Sequence, residues 1–483
     1  INDLNDTYVN FDGITYAKGA SVLKQLVYYV GREKFFQGIN QYLNKYAYSN
    51  ATLADLLHEL EKASGRDLKA WSAKWLEESG INTIATEVEE NADGTIASLT
   101  LNQTAPAEHP VLRPHRLAVG FYDEDPATGK IVRTDRFELD VDGKSTVVAA
   151  AAGKKRPAFI LVNDDDLTYT KLRFDADSLS FALANLQHFD DALARAVVWL
   201  SLWDMTRDGD LAAEKFIDTT LALLATETES TTFRYALSCM STTAWHYTAP
   251  DRRADVVKHV AKELWKLVIA APGGSDQQFQ LVTAYLGYGE EGDAEFAEHA
   301  QGLFDGSLIV VGLEIDNNFT WTIINALSSV KLIDQAGIDA QLAKRDTTEN
   351  REFALGAHAV RGDAAAKEWA WNEALNNADL TNMQLEAVAR GFGATPRPDL
   401  AEPYAAKYYD VVDWVWKNKS FHMAEALLEG LYPYYADPAT LVELGHRWLA
   451  DHEDADNALK RIVRGNVESS QRTLKVRDFN AAL

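Results

Sequence analysis

The sequence predicts a multidomain chain that is mainly α-helical and carries one small β domain. Three observations carry that prediction. Apolar residues recur at spacings of three and four over residues 15–80, and again from about residue 176 to the end. Between these stretches the pattern changes to alternating and β-branched runs separated by Gly-containing turns. With 483 residues and 47% apolar side chains, the chain is long enough for about three domains, each with its own core. The expected division is a helical segment over 1–80, a β-sandwich over 81–175 and a helical superhelical domain over 176–483.

Residues 15–80 predict a run of short amphipathic helices. The first presents Val22, Leu26, Tyr29 and Val30 on one face, and the second Phe35, Phe36, Ile39, Tyr42, Leu43 and Tyr46. The third carries Leu53, Leu56, Leu57 and Leu60. Its entrance, Thr52 with Asp55, has the spacing of a capping box. The fourth carries Leu68, Trp71 and Trp75, with Asp67 placed to accept a backbone N–H as N-cap.

The strand pattern begins near Ile81. Strands are expected at 84–90, 95–103, 115–122, 130–140, 146–150, 158–162 and 168–174. Asn91-Ala92-Asp93-Gly94 and Asp125-Pro126-Ala127-Thr128-Gly129 supply hairpin turns, since glycine there admits positive φ at no steric cost. About seven short strands joined in this way predict a small β-sandwich. From Asp177 onward the strand signal ends. Helical segments such as 192–205, 253–269, 364–375 and 404–417 alternate with polar breaks such as Arg207-Asp208-Gly209-Asp210 and Arg361-Gly362-Asp363. Helices stacked over about 300 residues without strands predict an α-solenoid of the HEAT or armadillo kind. That reading rests on element spacing, because no strict sequence repeat is present.

Composition bounds the function. The formal net charge is −25, which argues against nucleic acid as a partner. No apolar run is long enough to span a bilayer and no signal peptide is recognisable, so no membrane partner is expected. Cys239 is the single cysteine, so no intrachain disulfide forms, and a reducing cytoplasmic setting is the expected one.

The stretch Thr15-Tyr16-Ala17-Lys18-Gly19-Ala20-Ser21 is where the chemistry concentrates. A loop, Asn10-Phe11-Asp12-Gly13, leads into it, and it opens the first helix. With Trp71-x-x-x-Trp75-Leu76 and Gly80 further on, it resembles the zinc aminopeptidases of the aminopeptidase N type, whose relatives include leukotriene A4 hydrolase. The stretches 161–169 and 202–209 resemble the actinobacterial branch of that family. The resemblance covers the whole chain and implies peptide substrates, a zinc cofactor, a thermolysin-like catalytic domain of which residues 1–80 are the helical C-terminal remnant, then a β-sandwich and a closing helical domain. It also implies a catalytic role for Tyr16; Gly19 is expected to permit close packing, and Lys18 to make a salt bridge or a helix-surface contact.

The family's zinc motif is His-Glu-x-x-His with a further Glu, upstream of the tyrosine. None occurs here; the nearest match, His58-Glu59-Leu60-Glu61-Lys62, has a charged lysine where the second imidazole is needed. The expectation is therefore the C-terminal part of an aminopeptidase, with the zinc-bearing half of the same protein as its partner and no activity for this polypeptide alone. The rival expectation is a non-enzymatic helical-repeat scaffold that binds peptide or protein.

Other motifs have plainer readings. Gly287-Tyr288-Gly289-Glu290-Glu291-Gly292 matches a dinucleotide fingerprint by letters but follows no strand and sets two acids where phosphates would approach. Asp164-Asp165-Asp166 lacks the spacing of a calcium loop and reads as a solvated turn. His109 and His115 read as surface or inter-domain hydrogen-bonding residues. Trp199, Trp203 and Trp245-His246 read as helix core, and Cys239 as buried and inert.

Overall fold

The structure, a computed structural model, describes residues 14–483, with side chains from Tyr16 onward. The loop expected at Asn10–Gly13 and the side chain of Thr15 lie outside the described residues. The chain divides into two compact units, Ile1–Met205 and Thr206–Leu483.

In the first unit, a π-turn at Ile14–Lys18 runs into helix α1, Gly19–Val30; α2 (Arg32–Lys45), α3 (Leu53–Ser64) and α4 (Leu68–Ser72) follow. The caps form as the sequence predicts. Thr52 and Asp55 make a reciprocal capping box, and Asp67 accepts from Ala70 N. Val22, Leu26, Val30, Phe35, Leu57, Leu60, Leu68, Trp71 and Trp75 form the lobe's core. The face expected of α2 is only partly used: Phe35 is buried, whereas Phe36 and Leu43 stay exposed.

Seven strands follow: β1 (Thr83–Glu90), β2 (Ile96–Thr104), β3 (His115–Glu124), β4 (Ile131–Val141), β5 (Ser145–Val147), β6 (Phe159–Val162) and β7 (Lys171–Arg173). They make a four-stranded sheet in the order β5-β2-β1-β7 and a three-stranded sheet in the order β4-β3-β6. Both hairpin turns close at glycines with positive φ, Gly94 at 78° and Gly129 at 69°. The fifth and seventh strands are shorter than their sequence stretches. A 3₁₀ turn at Ala149–Ala151 ends the former, and Asn163 draws the backbone at 167 and 168 into a turn before the latter can begin.

A band of buried polar contacts ties the helical lobe to the strands. Arg113 Nε and Nη2 donate to the carbonyls of Lys74, Glu78 and Ser79, each at 2.9 Å, and Trp75 Nε1 donates to Pro114 O at 3.1 Å. Gln25, buried on α1, accepts from Thr168 Oγ1 and Tyr169 N, both at 3.0 Å.

The second unit is helical among its described residues. Asp, Ser or Thr side chains cap many of its helices, among them Ser275, Asp293, Asp316, Thr347, Asp363 and Asp437, which explains the regular polar breaks. Glycines let neighbouring helices close up. A Cβ on Gly391, in helix Asn382–Gly393, would stand 2.7 Å from Gly356 O and 2.8 Å from Ala359 Cβ in helix Thr348–Val360. Lys367, on Ala364–Asn376, is buried there; its ammonium donates to Ala359 O, Gly391 O, Phe392 O and Thr395 Oγ1. It thereby satisfies carbonyls that two helix ends leave open.

Candidate functional site

Tyr16 sits in the π-turn that delivers the chain into α1. The residue is 63% exposed at the helix entrance. Two residues on, Lys18 is half-buried and Gly19 exposed; Lys18 makes no ion pair among the described residues. Both border an apolar groove of about 340 Å³, whose other walls include Val22, Leu26, Leu57, Trp71 and Trp75. Trp71 is buried, yet its Nε1–H has no hydrogen-bond partner. Leu23, Leu53 and Leu76 on the rim are about half exposed. The lobe therefore presents an apolar, partly exposed face beside the exposed phenol.

The described residues do not fit a zinc ion. His58 is exposed on α3, and Glu59 is buried and held by Lys45 at 2.7 Å and Lys62 at 3.2 Å, which keep its carboxyl below the usual range. Lys62, the residue in place of a second imidazole, is thus committed to Glu59. Among the described residues no three His, Cys, Asp or Glu side chains gather to hold a metal ion.

The remaining candidates fall where packing explains them. His115 is fully buried, with Nδ1 2.7 Å from Thr168 Oγ1 and Nε2 3.1 Å from Gln103 Oε1; burial pushes its pKa down to about 3. His109 is exposed and lies against Gly80. Asp164 accepts from Tyr122 OH at 2.6 Å and from Arg133 at 2.7 Å, while Asp165 pairs with Arg133 and Arg136, and Asp166 with Lys24. All three carboxylates are therefore engaged within the fold. In the Gly287–Gly292 stretch, Glu291 pairs with Lys331 and Arg397, and Gly289 packs against Phe296, so no phosphate cradle is left. Trp199, Trp203, Trp245 and Cys239 are buried.

Sequence reasoning missed Gln25 and Arg113. Gln25 lies on the apolar stripe of α1 and reads as an interruption, because its partners lie more than a hundred positions away.

Comparison with known proteins bears on the whole chain. The ERAP1-like C-terminal domain matches residues 159–472, and the peptidase family M1 domain matches residues 1–75. Aminopeptidase N of Streptomyces lividans is 39% identical over 488 residues, spanning 100% of this chain and 56% of that protein. Aminopeptidase 2, mitochondrial, of Saccharomyces cerevisiae is 32% identical over 184 residues, 35% of this chain and 18% of that protein. Probable aminopeptidase 1 of Sulfurisphaera tokodaii is 38% identical over 89 residues, 18% of this chain and 11% of that protein. The chain belongs to the M1 aminopeptidase family and carries its ERAP1-like C-terminal domain. It spans little more than half the length of the Streptomyces relative.

Proposed function

We propose that this chain is part of a zinc aminopeptidase, a hydrolase that removes N-terminal residues from peptides, and that Tyr16 is its oxyanion donor. Hydrolysis of a peptide bond passes through a tetrahedral intermediate with negative charge on oxygen. A phenol O–H can donate a hydrogen bond to that oxygen. A donor placed where charge develops stabilises the transition state more than the substrate. The observation that carries this reading is the exposed Tyr16 side chain at a helix entrance, in a chain of the M1 family.

Zinc enters this reading only as the metal of the whole enzyme, held by residues other than those described here. The partner is the remaining portion of the same protein, seated on the apolar groove beside Lys18 and Trp71. The two sheets are read as a β-sandwich and residues 176–483 as an α-solenoid, with a cytoplasmic location. No helix among the described residues is long and apolar enough to cross a membrane.

The test is an assay on an aminoacyl chromogenic substrate. The full-length gene product turns over, stops with a chelator and recovers with zinc, while Ile1–Leu483 alone is inactive. A non-enzymatic scaffold shows no turnover in either form. Zinc-dependent turnover by Ile1–Leu483 alone would defeat the assignment of the metal to other residues.

A further inference from the structure

The second unit contains a cavity that the peptidase reading leaves without a use. It lies between the helices Asn317–Ser329, Thr348–Val360 and Asn382–Gly393, holds about 340 Å³, and has Phe353, Val360, Met383 and Ala387 among its walls. Three polar side chains line it as well, Asn325, Glu352 and Arg390. Arg390 is paired with Glu386 at 3.2 Å. Glu352 is half-buried and has no ion pair or hydrogen bond among the described residues. Asn325 Oδ1 is buried and accepts from no donor among the described residues. We propose that this cavity is a binding site for a small organic ammonium ion, its amine held by Glu352 and Asn325 Oδ1 and its apolar body seated on Phe353, Val360 and Ala387.

The helices build this space by crossing at glycine. A Cβ on Gly391 would stand 2.7 Å from Gly356 O, so the two backbones are in contact where both residues line the cavity. Ala387 and Ala394 beside them are too short to fill the space that Phe353 and Met383 border. The buried Lys367 donates to Gly391 O from outside the lining, and its ammonium is satisfied by four oxygens of the fold.

The cavity falls within the roughly 300–1,000 Å³ of small-molecule sites, which pair apolar walls with a few polar groups that fix orientation. Charge then chooses among ligands. Arg390 is offset by Glu386, whereas Glu352 has no counter-charge, so the lining is net negative. An anion would be repelled by Glu352. A neutral apolar molecule would leave the buried Asn325 oxygen unpaired, which costs free energy. A protonated amine has three donors, enough for a carboxylate oxygen, the amide oxygen and one water. Its bond to Glu352 is charge-assisted, the stronger kind. This site does not depend on the peptidase reading.

The test uses the whole 483-residue chain, labelled with ¹³C at the methyl groups of its four methionines. Met383 lines the cavity and is half exposed, whereas Met205 and Met240 are buried in other parts of the chain. Met383→Leu assigns the reporting signal. Phenethylammonium chloride is titrated against sodium chloride at equal ionic strength and pH, with sodium hydrocinnamate as the anion of similar shape. The expected result is a saturable shift of the Met383 signal with the amine, none with the anion, and no movement of Met205 or Met240. Nα-acetyl-lysine amide, titrated in parallel, tells a peptide's lysine side chain from a free amine by which of the two saturates at lower concentration. Glu352→Gln should weaken amine binding by about tenfold or more, the size expected for losing one charge-assisted hydrogen bond. Circular dichroism checks that this variant folds; should it not, the comparison of amine with anion on the wild-type chain decides. A Met383 signal that neither amine moves, equal saturation by hydrocinnamate, or unchanged affinity in a folded Glu352→Gln would each overturn the proposal.

Discussion

His115 Nδ1 lies 2.7 Å from the hydroxyl of Thr168, and that hydroxyl also lies 3.0 Å from Gln25 Oε1. The imidazole thus joins strand β3 to helix α1 through one threonine, inside the unit that mounts Tyr16. Its other nitrogen faces Gln103, and the edge of its ring meets Trp75 at 5.2 Å.

This contact predicts a pH dependence. Burial, with Arg113 adding to it, lowers the His115 pKa from 6.5 to about 3. The unfolded chain therefore binds a proton between these values and the native chain does not. Stability from this group is complete above pH 6.5 and is lost as pH falls toward 3, by at most roughly 2–4 kcal/mol. Urea unfolding of the first unit at pH 7.5 and pH 4.5 measures it. His115→Gln should flatten the difference, and an unchanged slope would show that the ring is not the titrating group.

Arg113 predicts a mechanical role. It is buried and donates to three carbonyls at the end of the helical lobe, with its guanidinium 5.4 Å from the Trp75 ring centroid. Arg113→Met leaves those carbonyls without a donor, at a cost of roughly 3–5 kcal/mol. The urea midpoint of the first unit should fall while that of the second stays put. Because the chain has two units, the transitions are read with separate probes.

Lys367 makes a pH prediction of the same sign, at higher pH, in the second unit. Burial lowers its pKa to about 7 against 10.5 for an ordinary lysine. Between these values the unfolded chain holds the proton that the native chain has released, so this group adds stability as pH rises from 7 to 10.5. In Lys367→Met that gain disappears. The difference in unfolding free energy between wild type and variant, followed from pH 7 to 10, should therefore grow in favour of the wild type; a constant difference would refute it.

Much of the fold was legible in the sequence because it is written in periodicity and caps. The strand at 84–90 alternates, the one at 115–122 is a nearly continuous buried run, and Thr52, Asp67 and Gly94 mark ends by chemistry that works within a few residues. What stayed hidden acts at long range or adds a residue to a turn. The π-turns at Ile14–Lys18, Ala73–Glu77 and Thr243–Tyr247 insert one residue without disturbing the apolar spacing enough to be read. Arg477 reaches His246 across 231 positions, and nothing local to either residue announces the contact. Exposure of Phe36 and Leu43 was equally invisible, because an apolar stripe does not say what covers it. Of the site, Tyr16 was legible only through its motif.

The central claim is that the Tyr16 hydroxyl meets a developing oxyanion. Its most direct test is Tyr16→Phe in the full-length gene product, with kcat and KM measured separately on one aminoacyl substrate and the fold checked by circular dichroism. The ring is exposed, so the missing hydroxyl should leave stability nearly unchanged. The account predicts a fall in kcat on the order of 10²–10³ with KM little altered. A folded variant that keeps wild-type kcat would contradict it.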